Sequence, residues 1–204
     1  MTAKARRNQI QRGARAKPGT KALPDGRRKA VIDAAARLFG ARGFEGTSMR
    51  DIAGATGILA GSLYHHFRSK DALFVAVYAQ GVEHIERAAA GAVAGERDPW
   101  RRLEVAAVAH LETLLTENSP TAAVISSFAI PNLPMRKDLV RLRDRYERIF
   151  GELVAALPLP RGVDRRVLRL SLLGAMNWAL GWYRPGGDTP AAIARKIVAL
   201  FRPQ

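Results

Sequence analysis

The sequence predicts an all-α protein in which an N-terminal three-helix unit precedes a larger helical domain. Three observations carry that prediction. From Asp25 onward, apolar residues recur every three or four positions, with no convincing strand alternation. Gly and Pro interrupt that pattern at Gly40 and Gly43, Gly57, Pro99, Pro120, Pro131 to Pro134, Pro158 with Pro160, and Pro185-Gly186-Gly187, leaving segments of helix length between them. The net charge of +15 is also concentrated at one end, where Lys4, Arg6, Arg7, Arg12, Arg15, Lys17, Lys21, Arg27, Arg28 and Lys29 face only Asp25.

Residues 1–23 hold almost no large apolar side chain and read as a flexible basic arm that cannot build a core. Such an arm suits a polyanion, either nucleic acid or an anionic membrane face, or serves as a solvated tail. The 204-residue chain has no cysteine, which excludes disulfides, thiolate metal sites and thiol catalysis. No apolar run reaches the roughly 18 residues of a membrane span, and the basic N-terminus lacks the apolar stretch of a signal peptide. A cytoplasmic protein without cofactor is expected.

Taken in order, Val31, Ala35, Leu38 and Phe39 mark the first helix, closed by Gly40 and Gly43. A short second helix starts at Thr47 or Ser48, with Asp51 placed as in a capping box. Gly57 ends it, and a third helix covers about Ala60 to His66. Ser69 caps a long fourth helix with Asp71 in its first turn. From about Met135 to Leu157, Leu139, Leu142, Tyr146, Ile149, Leu153 and Leu157 form one apolar stripe. Val167 to Tyr183 is apolar nearly all round and needs cover on two sides, one its own core and the other a second subunit. A last helix, Pro190 to Phe201, carries Ile193, Ile197, Leu200 and Phe201 as its stripe. A homodimer joined by these two helices, with Leu173 and Ile197 at the seam, is expected.

The stretch Thr47 to Phe74, TSMRDIAGATGILAGSLYHHFRSKDALF, carries the functional signal. Ala53 is small where two helices must approach, Gly57 can adopt the left-handed turn between them, and Ile52, Ile58, Leu63 and Phe67 supply apolar locks. That is the logic of a helix-turn-helix whose second helix enters the major groove. Phe39, Arg42-Gly43-Phe44, Thr47, Asp51-Ile52-Ala53, Leu63 to Phe67 and Ser69-Lys70 together closely resemble the DNA-binding domain of TetR-family repressors. The resemblance implies an arm (1–23), a helix-turn-helix DNA-binding domain (24–72) and a helical ligand-binding and dimerisation domain (73–204). By position it implies that Thr47 and Ser48 meet phosphate through hydroxyls and a helix N-terminus, with Tyr64, His65 and Lys70 also on the backbone. Ala60, Gly61 and Ser62 would face base edges, with Arg50 beside them. Packing is the other reading for Tyr64 and His66, and the expected one for Leu63 and Phe67. Leu59 and Ala60 depart from the family pattern: Leu59 removes an N-cap and Ala60 a polar contact. His65 and His66 point about 100° apart on a helix and do not share a metal ion.

The segment Gly174 to Ala194, with Arg143 to Glu147 before it, resembles a TetR subgroup that answers acyl-CoA thioesters. That resemblance implies a small-molecule effector and makes Arg145, Trp178, Trp182 and Arg184 candidate contacts, the cations for phosphate and the indoles for adenine or acyl tail. The other reading places both indoles in the core or the dimer interface. The expected function is a ligand-responsive repressor on a near-palindromic double-stranded operator. A multidrug sensor, with Glu104, Glu112 and Glu117 as its acids, and an architectural DNA binder are the alternatives. No converging acid, base and nucleophile suggests an enzyme.

Overall fold

Each helix boundary follows a chemical signal in the chain. A computed structural model describes residues 25–115 and 135–203. Among them are eight helices and no strand: α1 (Asp25–Arg42), α2 (Met49–Thr56), α3 (Ala60–His66), α4 (Lys70–Val93), α5 (Pro99–Leu115), α6 (Arg136–Ala155), α7 (Arg165–Trp182) and α8 (Pro190–Phe201). The basic arm, Pro120 and the Pro131 to Pro134 segment lie outside the described residues.

Ser48 caps α2 by accepting from the Asp51 amide, while the Asp51 carboxylate accepts from the Ser48 amide at 2.8 Å, the reciprocal box expected. Gly57 ends α2 at φ 66°, and the Ile58 amide returns to the Ala53 carbonyl at 3.1 Å. This closure needs a left-handed residue, and glycine adopts that conformation without steric cost. Ser69, Asp164 and Thr189 cap α4, α7 and α8 with side-chain oxygens. At the C-terminal end of α6, Arg165 Nη1 adds donors to the carbonyls of Val154, Ala155 and Leu157.

One buried apolar cluster runs from Val31 and Ile52 through Leu73 and Val77 of α4 into Leu103, Phe150, Leu172 and Val198. The expected boundary at residue 72 therefore falls inside α4 rather than in a linker. Helix α4 packs on α1 and, farther along, on α5 and α6, and α5 in turn lies against α8. At the α1 end, Phe74 meets Phe39 and Phe44 edge-on, each at 5.1 Å between ring centroids.

The turn between α1 and α2 is tight. A Cβ on Gly46 would overlap the carbonyl oxygen of Arg42, whereas a Cβ on Gly54 would meet open space. Gly46→Ala is expected to cost about 1–3 kcal/mol, roughly 2–12 °C in Tm, while Gly54→Ala is neutral or stabilising by up to about 1 kcal/mol. Thermal denaturation followed by circular dichroism checks both, and equal melting of the two variants would contradict this account of the turn.

Candidate nucleic-acid interface and effector domain

Helix α3 is held from below and bare on top. Leu63 and Phe67 are buried, whereas Gly61, Tyr64 and His65 are exposed and Ala60 and Ser62 half-buried. A Cβ at Gly61 would meet nothing, so the outer face of α3 is low and smooth at that point. Arg50 is exposed on α2. The Ser48 hydroxyl and then its backbone N–H donate to Asp51 and hold that carboxyl below the usual carboxylate range. Leu59 precedes α3 with no side-chain cap, as the departure from the family pattern implied.

Two expected phosphate contacts are placed differently. Thr47 is 1% exposed, and its hydroxyl points to the carbonyls of Gly43 at 2.9 Å and Leu38 at 3.2 Å. It pins the α1–α2 turn and is withdrawn from the surface. A buried hydroxyl must find a partner, and the loose end of α1 offers two acceptors. Lys70 likewise donates to the Phe44 carbonyl at 2.9 Å, lies 4.1 Å from the Phe44 ring centroid, and is 3.9 Å from the Glu45 carboxylate. It fastens the turn that presents Ser48.

The larger domain is built around a polar group that sequence reading passed over. His110 is buried on α5, with Tyr146 Oη 2.7 Å from Nδ1 and Asn177 Oδ1 3.1 Å from Nε2. Since Oδ1 can only accept, Nε2 carries the proton and the Tyr146 hydroxyl donates to Nδ1. Burial pulls His110 down to about 4, partly opposed by Asn177, and burial also raises Tyr146 well above the ordinary phenol value. The signal in the sequence was a lone histidine on an apolar helix face, which by itself does not reveal partners on two other helices.

The candidate effector contacts are not gathered together. Arg145 on α6 forms a bidentate pair with Glu86 of α4, at 2.7 and 2.8 Å. Trp178, 69% exposed, and Trp182 lie on the outer face of α7, and Arg184 donates to the neighbouring Tyr183 carbonyl. Val167, Leu170, Trp178 and Trp182 are exposed along that outer face, with Ser171 and Gly174 between the aliphatic and indole pairs, and α8 adds Leu200, 82% exposed. Leu173 and Ile197, expected at a dimer seam, are instead buried in the chain's own core. Of the acids weighed for a cation sensor, Glu104 is paired with Arg101 and Arg195, Glu112 is exposed, and Glu117 lies outside the described residues. Among the described residues the buried polar side chains are Thr47, His110 and Thr113, none of them a carboxylate, and no group of acids and histidines could hold a metal ion. No described helix is long and apolar enough to cross a membrane.

Residues 31–77 match the model of bacterial regulatory proteins of the tetR family, and residues 96–203 match the tetracyclin repressor-like C-terminal domain. The chain belongs to the TetR family. It is 31% identical over 185 residues to the HTH-type transcriptional repressor KstR2 of Rhodococcus jostii, covering 86% of this chain and 89% of that one. The KstR2 of Mycolicibacterium smegmatis is 29% identical over 85% of this chain and 87% of its own. Among solved structures, AibR in complex with isovaleryl coenzyme A and operator DNA superimposes with a TM-score of 0.74 at 28% identity, covering 85% of this chain and 97% of AibR. The TetR resemblance read from Phe39 through Lys70 is thus correct, and the chain is a DNA-binding transcriptional regulator of the repressor type. Its relatives are regulators rather than enzymes.

The buried imidazole makes stability depend on pH. Its folded value, about 4, lies below the ordinary 6.5. The unfolded chain therefore takes up the proton first, and the stabilisation is complete above about pH 6.5 and lost as pH falls toward 4. Denaturant melts should show wild type losing stability between pH 7 and 5. His110→Gln should be less stable at pH 7.5 yet lose less over that interval, and parallel losses would remove His110 as the cause.

Proposed function

We propose that the protein is a cytoplasmic homodimeric repressor that grips a near-palindromic operator through α3 and releases it when an acyl-CoA thioester binds the C-terminal half. The observation that carries the DNA reading is the bare outer face of α3. It presents Gly61, Tyr64 and His65 on a helix anchored by Leu63 and Phe67, with Arg50, Ser48 and the half-buried Ala60 and Ser62 alongside. Side chains so presented reach base edges and phosphates, while the buried pair fixes the helix that carries them.

The dimer is assigned to the outer face of α7 with Leu200. Exposed valine, leucine and two tryptophans recurring on one face over four turns of a helix mark an association surface rather than a solvated one. A two-fold pair sets its recognition helices about one duplex turn apart, which is why the operator should be near-palindromic.

The effector class is supported by the likeness to AibR, which was solved with isovaleryl coenzyme A and operator DNA. It is also supported by two exposed cations whose side chains have no partner among the described residues, Arg148 and Arg166. Of the candidate contacts we retain Arg184 for the effector, while Trp178 and Trp182 belong to the proposed dimer seam and Arg145 is committed to Glu86. Among the described residues the multidrug reading finds no buried carboxylate of the kind that a cationic drug would need. Within this proposal residues 24–72 read DNA, residues 73–204 bind effector and partner, and the basic arm adds salt-sensitive affinity.

Trp178→Asp or Leu200→Asp should give a folded monomer of 22.3 kDa by light scattering, where wild type shows twice that mass. Leu173→Asp and Ile197→Asp should unfold the chain instead, because each buries a charge in the core. A folded, dimeric Trp178→Asp variant would move the seam elsewhere.

Calorimetry with an acyl-CoA panel, with free CoA and free fatty acid as controls, tests the effector. A ligand shifts the DNA equilibrium only through its differential affinity for the two states, so the operator should weaken thioester binding by the factor by which thioester weakens operator binding. Micromolar binding of cationic dyes with none of any thioester would replace this effector with a drug.

A further inference from the structure

Leu59 occupies a position where its side chain does nothing for the fold. It is 82% exposed and stands where α3 begins, yet offers no hydrogen bond to the helix amides. Ser48, Ser69, Asp164 and Thr189 fill the equivalent place before α2, α4, α7 and α8 with capping oxygens. An apolar residue at such a position costs helix stability relative to those side chains, and an exposed leucine gains nothing from burial to offset it.

The surroundings identify what Leu59 meets. It is continuous with the exposed face of α3, next to Ala60 and Gly61. Behind it, between α1 and the α2–α3 turn, lies a cleft of about 560 Å³ bordered by Arg27, Arg37, Ile58, Leu59 and Ser62. Neither Arg27 nor Arg37 has a side-chain ion-pair or hydrogen-bond partner among the described residues, so the cleft walls are positive and suit a polyanion. In the major groove every base edge presents hydrogen-bonding atoms, and thymine alone adds an apolar C5-methyl. An isobutyl group laid on any other edge would strip water from polar atoms without replacing it.

We propose that Leu59 is a specificity-determining residue that packs on the C5-methyl of a thymine at one position in each operator half-site. The contact is made by side-chain carbon and not by the amides of α3. It therefore selects in two ways, by attraction to the methyl and by the desolvation cost at the other three bases. The inference rests on the DNA reading of α3 and assigns a base to a residue that the family motif leaves without one.

The test uses the full-length dimer and a duplex that it selects from a random-sequence pool. Each thymine is replaced in turn by deoxyuridine, which removes only the methyl. Wild type should lose roughly fourfold affinity per half-site at one symmetry-related pair of positions. Leu59→Ser should bind the thymine and deoxyuridine duplexes equally at that pair. Because serine caps α3, this variant should melt at or above the wild-type temperature, so its lost discrimination is not unfolding.

The inference is overturned if no thymine methyl matters to wild type, or if Leu59→Ser keeps the full penalty. It is also overturned if the penalty disappears only in Ala60→Gly, which would make Ala60 the reader. Failure to select any duplex would sink the DNA reading itself, an outcome distinct from a selected duplex indifferent to its methyls.

Discussion

Phe74, on the first turns of α4, lies edge-on against Phe39 of α1 and Phe44 of the following turn, and Lys70 one turn earlier is tied to the Phe44 carbonyl. Farther along the same helix, Gln80 donates to Asp33 of α1 at 2.9 Å, and Glu86 holds Arg145 of α6. The other features hang on this double attachment. Helix α4 has 24 residues and is about 36 Å long, so it is a stiff rod with one end in the small domain's core and the rest in the large one. A displacement of α6 or α5 is therefore delivered to the turn that presents Ser48 and α3, because packed helices move as bodies rather than deforming continuously.

The large domain holds its own position by an uncommon expedient. Burying His110 and Tyr146 together is costly unless each donor and acceptor is matched, and here the neutral imidazole is matched on both sides, by Tyr146 and the half-buried Asn177. The network joins α5, α6 and α7, so those three helices have one register in which it is satisfied. Stacking of Tyr146 on the imidazole, 5.6 Å between ring centroids, and the edge of Phe150 at 5.9 Å enclose it.

The surfaces divide the work by chemistry. At the start of α3, Leu59, Ala60 and Gly61 follow in succession, with the polar Tyr64 and His65 only a turn later. In the proposed DNA reading, that leaves little side-chain hydrogen bonding at the start of α3 for base discrimination and gives shape and apolar contact a larger share of specificity, with Arg50 beside them. The outer face of α7 is the opposite case, a broad indole-rich surface suited to a partner of the same kind.

How much of this was legible in the sequence follows from the range of the interactions involved. Helix ends were readable because caps are local: Ser48 with Asp51, Gly57 before Ile58, and Ser69 three residues ahead of Ala72 are decided by side chains within one turn of the backbone they satisfy. The helix-turn-helix and its family were readable for the same reason, since the spacing of Ala53, Gly57, Ile58 and Leu63 is itself the motif. What the folded chain alone decided is direction. The Thr47 hydroxyl turns inward and Lys70 reaches back twenty-six residues to Phe44. Likewise Leu173 and Ile197 pack inside while Trp178 and Leu200 remain outside. A helix apolar all round says that two faces are covered but not which is which. That choice belongs to helices distant in sequence, and only their packing reveals it.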